Sequence, residues 1–118
     1  PLDTAVKRGD VSFCDKIDIP DQRDDCYYRT VRQNTEKYEL ATCDKINELN
    51  AKSYCYEYLL RDKPYIASCE KVSDKYFKDR CYGIIADTIQ DPVLCEKIGI
   101  ETIKNNCQVA TGVRKSSR

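Results

Sequence analysis

The sequence predicts an all-α fold of four tandem helical hairpins, each linked by one disulfide and stacked as a short α-solenoid. The first reason is the cysteine spacing. Eight cysteines form four pairs with eleven residues inside every pair, whereas sixteen, thirteen and thirteen residues separate successive pairs. A spacing that stays constant while its neighbours vary indicates the segment that is covalently closed. The predicted disulfides are Cys14–Cys26, Cys43–Cys55, Cys69–Cys81 and Cys95–Cys107.

The second reason is a motif that begins at the first cysteine of each pair and reads cysteine, acid, lysine, β-branched apolar residue. It recurs at intervals of 29, 26 and 26 residues, and such periods are typical of stacked repeat proteins. We expect the apolar residue to face the core, the lysine to suit the end of a short helix, and the acid to be solvated or paired with a neighbouring repeat's lysine. The alternative is a recognition role for the acid–lysine pairs. The four copies are Cys14–Ile17, Cys43–Ile46, Cys69–Val72 and Cys95–Ile98.

Each repeat is predicted to contain a short helix A of about two turns, a turn, and a longer antiparallel helix B. A single helix would place the two cysteines about 18 Å apart along its axis, whereas a disulfide needs Cα atoms within about 7 Å. The break is expected four residues after each first cysteine, where the residue types favour caps and turns. These residues are Asp18, Asn47, Ser73 and Gly99.

Other residues predict where the helices begin and end. Asp91 followed by Pro92 predicts an N-cap with proline in the first turn, and Asp10 holds the equivalent place in repeat 1. Pro64 is expected to open helix A of repeat 3. The three extra residues of the first interval predict an additional turn in the helix B that follows Cys26. Apolar residues at helical spacing predict helix B of repeat 3 over 74–89, namely Tyr76, Phe77, Cys81, Ile84, Ile85 and Ile89.

We therefore predict a single repeat domain over 1–118. Its repeats lie at about 10–38, 39–64, 65–90 and 91–112, and a polar tail occupies 113–118. Ala5 precedes Cys14 by the same distance as Ala86 precedes Cys95, so the N-terminal segment is expected to be the tail of a helix B. It is either a cap or the cut end of a longer array. The end repeats should present polar faces, as at Arg29-Thr30.

Composition narrows the class of protein. The 20 Lys and Arg balance 20 Asp and Glu and are interspersed, which argues against nucleic acid and anionic membranes as partners. No apolar stretch is long enough to span a membrane. Because methionine is absent, we expect a processed segment whose leader lies outside it. The even, regular cysteine set predicts an oxidising compartment and hence a secreted, extracellular or cell-surface location.

The residue types also argue against catalysis. The sequence has no histidine, the commonest general base. It has no C-x-x-C redox motif, and its cysteines are too widely spaced for a zinc site. The many acids single out no carboxylate pair, and the run Asp21–Asp25 is expected to be the solvated first turn of a helix B. We predict no enzyme activity, no metal and no cofactor.

The nine tyrosines are the best indication of a binding surface. Tyr27, Tyr56 and Tyr82 directly follow the second cysteine of a pair, and Gln108 breaks the series. One interpretation is packing between repeats with the hydroxyls at the surface. The other is a tyrosine-lined surface that binds a protein or a glycan. The candidate binding residues are Tyr27, Tyr54, Tyr56, Tyr58, Tyr65 and Tyr82.

The pattern Asp-Pro-x-Leu-Cys-Glu-Lys-Ile at Asp91–Ile98, together with Cys-Tyr-x-x-Ile-Ala at Cys81–Ala86, resembles tandem C-x11-C helical-hairpin repeats of predicted secreted or membrane-anchored archaeal proteins. The resemblance covers about 5–112 and implies fold and location rather than activity. The chain is similar to tetratricopeptide arrays in outline only, because its units are shorter and lack the Trp-Leu-Gly pattern.

These features predict a secreted or cell-surface, non-enzymatic protein that acts structurally or through protein interactions. Head-to-tail stacking of repeats between chains would make it a self-assembling subunit of an extracellular filament or surface layer. The alternative is a monomeric extracellular recognition module that binds a protein or glycan through a tyrosine-bearing face.

Overall fold

The computed structural model describes residues 2–115 and contains helices and turns, with no strand in that range. The predicted all-α class is confirmed. Three short 3₁₀ helices span Val11–Lys16, Thr35–Lys37 and Pro92–Lys97. Positions 116–118 of the predicted polar tail lie outside the described residues. The α-helices are α1 (Leu2–Arg8), α2 (Pro20–Gln33), α3 (Leu40–Cys43), α4 (Leu49–Asp62), α5 (Ile66–Glu70), α6 (Lys75–Ile89) and α7 (Glu101–Ala110).

Each repeat has the predicted order of short helix A, turn and long helix B. Helix B is α2, α4, α6 and α7 in repeats 1 to 4. Helix A is shorter than two α-helical turns: it is α3 or α5 in repeats 2 and 3, and a 3₁₀ helix in repeats 1 and 4. The four predicted break residues all lie between helix A and helix B.

The predicted N-caps at the first and last repeats are confirmed. The Asp10 carboxylate accepts a hydrogen bond from the Ser12 amide at 2.9 Å, and the Asp91 carboxylate accepts one from the Val93 amide at 3.0 Å. In repeat 3, helix A begins at Ile66, two residues after Pro64. The proline therefore precedes that helix rather than occupying its first turn.

One disulfide joins helix A to helix B in every repeat, which makes four disulfide-linked helical units. The Cα–Cα distances are 5.6 or 5.7 Å. The cysteines are at most 3% exposed, so the sulfur atoms lie in the core of each hairpin. The pairs are Cys14–Cys26, Cys43–Cys55, Cys69–Cys81 and Cys95–Cys107.

The chain divides into two compact units, a first unit of residues 1–62 and a second unit of residues 63–118. The division lies close to the predicted boundary between repeats 2 and 3. In the first unit, α2 packs against α1, α3, α4 and the 3₁₀ helix of repeat 1. In the second unit, α6 packs against α5, α7 and the 3₁₀ helix of repeat 4. Each unit thus holds two stacked repeats, and the single repeat domain over 1–118 stays a prediction.

The apolar residue of the repeated motif contributes to the core as expected. Ile46, Val72 and Ile98 are buried, and Ile17 is partly buried. The apolar face of α6 is narrower than its spacing predicts, because Tyr76 and Ile89 are each 45% exposed. No helix within residues 2–115 combines the length and apolar character needed to cross a membrane.

The three extra residues after Cys26 do not lengthen helix B, so that prediction is wrong. They form the 3₁₀ helix Thr35–Lys37, which follows α2 after Asn34. The Lys37 ammonium donates a hydrogen bond to the Gly9 carbonyl at 2.9 Å, and the Tyr38 hydroxyl donates to the same oxygen. The insertion therefore anchors the end of α1.

The end of α1 matches the end of α6. The Asp10 amide donates to the Ala5 carbonyl at 3.0 Å, as the Asp91 amide does to Ala86 at 2.9 Å. Gly9 and Gln90, which precede these aspartates, both have left-handed backbone angles, with φ of 64° and 55°. The N-terminal segment therefore folds like the tail of a helix B, as its spacing predicts.

The expected polar face of repeat 1 is only half present. Arg29 is exposed and pairs with Asp25 at 3.0 Å. Thr30, in contrast, is fully buried, with its hydroxyl 3.8 Å from the Cys14 sulfur. The prediction of an exposed face is therefore wrong at Thr30, because that side of α2 lies against the disulfide.

Replacing Gly9 by alanine is expected to lower the free energy of unfolding by about 1–2 kcal/mol or more. Its φ of 64° disfavours any Cβ, and a Cβ would lie 2.5 Å from the Asn34 side-chain oxygen. Urea unfolding measures the change. The control is Gly83→Ala, because Gly83 lies inside α6 with its nearest neighbours 3.9 Å from a Cβ; it should gain up to about 1 kcal/mol. Equal effects of the two substitutions would contradict this account.

Full reduction is expected to remove most of the helical signal at 37 °C. Each short disulfide-closed loop stabilises its hairpin by about 3 kcal/mol in the chain-entropy model, and a hairpin of this length buries too little apolar surface to fold alone. Far-UV circular dichroism of reduced, alkylated protein measures the loss against the oxidised form. An unchanged spectrum would overturn the expectation.

Candidate functional site

The tyrosine that follows the second cysteine is buried in the three repeats that have it. Tyr27, Tyr56 and Tyr82 are 5%, 0% and 5% exposed. Each hydroxyl bonds to the acid of the motif in its own repeat. Tyr56 donates to Asp44 at 2.6 Å; the other two pairs are Tyr27 with Asp15 and Tyr82 with Glu70. These tyrosines thus form a second link between helix A and helix B, and their hydroxyls are not free at the surface.

The lysine of the motif reaches the tyrosine of the preceding repeat inside each unit. The Lys45 ammonium lies 5.6 Å from the ring centroid of Tyr27 and 3.6 Å from the Asp15 carboxylate. The Lys97 ammonium lies 5.7 Å from the ring centroid of Tyr82. Such cation–π contacts are attractive. Within each unit, therefore, these tyrosines and lysines pack between repeats.

A buried carboxylate makes a further link between repeats. Asp24 is 5% exposed and accepts hydrogen bonds from the amides of Asn47 and Glu48 at 3.1 and 3.0 Å. Asp79 is 2% exposed and accepts from the amides of Gly99 and Ile100 at 3.2 and 2.8 Å. We call Asp24 and Asp79 the inter-repeat carboxylates.

The sequence did not predict the inter-repeat carboxylates. The expectation that the run Asp21–Asp25 is a solvated first turn is wrong for Asp24, which is 5% exposed. Their shared position in the repeat could have indicated a common role, because both lie two residues before the second cysteine of a pair. A side chain at that position faces the next repeat, and its carboxylate accepts hydrogen bonds from the backbone amides that precede the next helix B.

The remaining candidate tyrosines are exposed. Tyr54 and Tyr58 on α4 are 54% and 43% exposed, and Tyr65 in the second unit is 62% exposed. Tyr54 and Tyr58 lie four residues apart and thus on one face of α4. Of the six predicted binding residues, these three present their rings to solvent. Their binding role stays a prediction.

Two residues that the sequence analysis did not single out join Tyr58 in a cluster on the first unit. The rings of Tyr28 and Tyr58 pack edge to face with centroids 6.0 Å apart. The Arg32 guanidinium lies 5.3 Å from the Tyr28 centroid and 5.9 Å from that of Tyr58. Tyr28, Arg32 and Tyr58 form the aromatic cluster. In the sequence, the i,i+4 spacing of Tyr28 and Arg32 on α2 indicates that these two side chains can meet, but it does not indicate the contact with Tyr58.

Within the aromatic cluster, Tyr28 and Arg32 influence each other's pKa, and Tyr58 influences both. Burial and the hydrogen bond with Tyr58 raise the pKa of the Tyr28 hydroxyl. Hydrogen bonds with Tyr28 and Tyr58 raise the pKa of Arg32. The guanidinium therefore interacts with both tyrosines of the cluster.

An acidic cleft of about 310 Å³ adjoins the aromatic cluster, because Tyr28 of the cluster also lines the cleft. Asp24, which lines the cleft, accepts hydrogen bonds from backbone amides, and Asp25 pairs with Arg29. Among residues 2–115 no group of side chains is arranged to hold a metal ion. The cleft is lined by Asp21, Asp24, Asp25, Tyr28, Glu48 and Ala51.

The chain has no match among known protein families, curated proteins or solved structures. Its disulfides, twelve positions apart within an all-helical chain, fit the C-x11-C repeat pattern. Such a set of four is typical of proteins in an oxidising environment.

Alkaline pH is expected to destabilise the first unit partly through Tyr27. Burial and the hydrogen bond to Asp15 raise the pKa of Tyr27 from 10.0 to about 12. Between these two pH values the unfolded chain binds fewer protons than the folded one, so the free energy of unfolding falls as pH rises. The contribution is complete below about pH 10.

Urea unfolding across this pH range measures the effect. The Tyr27→Phe variant should start less stable, because the Asp15 hydrogen bond is lost, and should show a shallower decline with pH. Parallel declines in the wild type and the variant would assign the alkaline loss to other groups.

Proposed function

We propose that this protein is a secreted or cell-surface recognition module, without enzymatic activity, that binds a protein partner through an aromatic surface on its first unit. That surface consists of the aromatic cluster and Tyr54. The observation that carries the proposal is the edge-to-face pair of Tyr28 and Tyr58 beneath Arg32, with the neighbouring Tyr54 ring 54% exposed.

The composition of this surface suits protein recognition. Tyrosine and arginine are the residue types enriched at the energetic centres of protein interfaces. Tyrosine gives a large contact area at a low cost in side-chain entropy. The carboxylates of the adjoining cleft give one edge of the surface negative charge, which would favour a partner with basic residues and disfavour an acidic one.

The framework supports binding without a large cost of ordering. The helices α2 and α4 that carry the surface are each tied to a helix A by a buried disulfide. They also pack against each other, and the Arg32 guanidinium lies over the rings of Tyr28 and Tyr58. A surface ordered before binding keeps more of its contact energy as affinity.

The location and the lack of catalysis are supported by the chemistry of the chain. All eight cysteines are in disulfides, which is typical of secreted and cell-surface proteins. The resemblance to repeats of secreted or membrane-anchored archaeal proteins agrees with this location. With histidine absent from the sequence and no free thiol, the commonest general base and the cysteine nucleophile are missing.

Self-assembly into a filament or surface layer is less well supported, because repeat 4 lacks the side chains that join repeats inside the units. Gln108 replaces the tyrosine, and Asn105 replaces the inter-repeat carboxylate. The Asn105 side-chain oxygen accepts a hydrogen bond from Arg114 at 2.9 Å. A following repeat from a second copy would find neither the aromatic ring nor the carboxylate.

The test compares the wild type with the double variant Tyr54→Ala, Tyr58→Ala. Oxidised protein is immobilised and exposed to surface and secreted proteins of the source cells, and bound proteins are quantified by mass spectrometry. We expect one partner whose recovery falls at least tenfold with the double variant, since tyrosines at the centre of an interface typically contribute about 2 kcal/mol or more each.

The matched control is the double variant Tyr65→Ala, Tyr76→Ala. It removes two similarly exposed tyrosines, 62% and 45%, from the second unit and should bind like the wild type. Equal recovery by all three proteins would overturn the proposal. Binding that glycosidase treatment of the target abolishes would identify a glycan ligand instead. Concentration-dependent growth in sedimentation velocity would favour self-assembly.

A further inference from the structure

The inter-repeat carboxylates hold the following repeat by its backbone. Asp24 bonds to the two amides just before α4, and Asp79 bonds to the two amides just before α7. Both carboxylates are at least nine-tenths buried. Hydrogen bonds to an ionised group are among the strong ones, and negative charge is favoured at the amino end of a helix. Each carboxylate therefore couples two repeats.

The residue at this position alternates along the chain. It is Asp24 in repeat 1 and Asp79 in repeat 3, but Ser53 in repeat 2 and Asn105 in repeat 4. A neutral side chain at this position cannot supply a charged acceptor for two amides, and Asn105 is already engaged by Arg114. The carboxylate thus occurs once inside each compact unit, in its first repeat.

The other side chains between repeats do not alternate in this way. Tyr56 is present in repeat 2, and the motif lysine recurs in repeat 3 as Lys71. The carboxylate is therefore the residue whose presence follows the division of the chain into units 1–62 and 63–118.

We infer that the residue two positions before the second cysteine encodes repeat coupling, and that the chain consequently unfolds as two independent two-repeat modules. This inference does not rest on the proposed binding function, because it concerns cooperativity and involves neither the aromatic cluster nor Tyr54. It distinguishes the protein from a uniform solenoid, in which every neighbouring pair of repeats is coupled alike.

The test is hydrogen exchange by mass spectrometry on the full chain with its disulfides intact. In Asp79→Asn, amides of α6 and α7 should exchange at least about tenfold faster, because a charged, buried hydrogen-bond acceptor is lost. Amides of α2 and α4 should stay within about twofold of wild type, the accuracy expected for uncoupled sites. Asp24→Asn should show the reverse pattern.

The control is Ser53→Ala, which should leave exchange in both units unchanged. Faster exchange in both units from either aspartate variant would overturn the inference, as would no change from either. Should a variant fail to form its native disulfides, exchange of the wild type in increasing urea gives the answer. Separate opening transitions for the two units support the inference, and a single transition shared by all slow amides overturns it.

Discussion

The disulfide between helix A and helix B is the constraint on which the rest of the fold depends. It joins residues twelve positions apart in every repeat, so the residues that follow the two cysteines are also brought together. That is why the acid after the first cysteine meets the tyrosine after the second, as Asp44 meets Tyr56. One disulfide thus sets the register of the two helices in each hairpin. Burial of apolar surface alone would not stabilise a hairpin of this size.

No disulfide joins one repeat to the next, and inside each unit the repeats meet through helix packing and side-chain contacts. A buried carboxylate satisfies the free amides that precede the next helix B, groups that would otherwise be costly to bury. The motif lysine adds a contact with the tyrosine of the preceding repeat, seen for Lys45 with Tyr27 and for Lys97 with Tyr82. Repeats 2 and 4 have Ser53 and Asn105 at the position of the carboxylate, and both still form their disulfide-linked hairpins.

The tyrosines divide into two roles by their exposure. The three buried tyrosines link helix A to helix B through their hydroxyls, so they have a structural role. They are Tyr27, Tyr56 and Tyr82. Tyr54 and Tyr58, in contrast, present their rings to solvent from α4. Tyr58 also contacts Tyr28 and Arg32 of repeat 1, so the aromatic cluster combines residues of two repeats. The helices that carry this aromatic surface are each joined to a helix A by a disulfide, and a surface ordered before binding loses less affinity to the cost of ordering. This distinction underlies the proposed recognition function.

The sequence by itself determined the helical class, the disulfide pairing inside each repeat, the turn inside each hairpin and the caps at Asp10 and Asp91, because these follow from cysteine spacing and local backbone chemistry. Only the tertiary structure decided that the extra residues form Thr35–Lys37, that Asp24 is buried, and that Tyr28, Arg32 and Tyr58 meet. Each of these depends on contacts between residues more than twenty positions apart, or on which face of a helix a neighbouring repeat covers. Local periodicity contains no such information, since burial is a property of the packed chain.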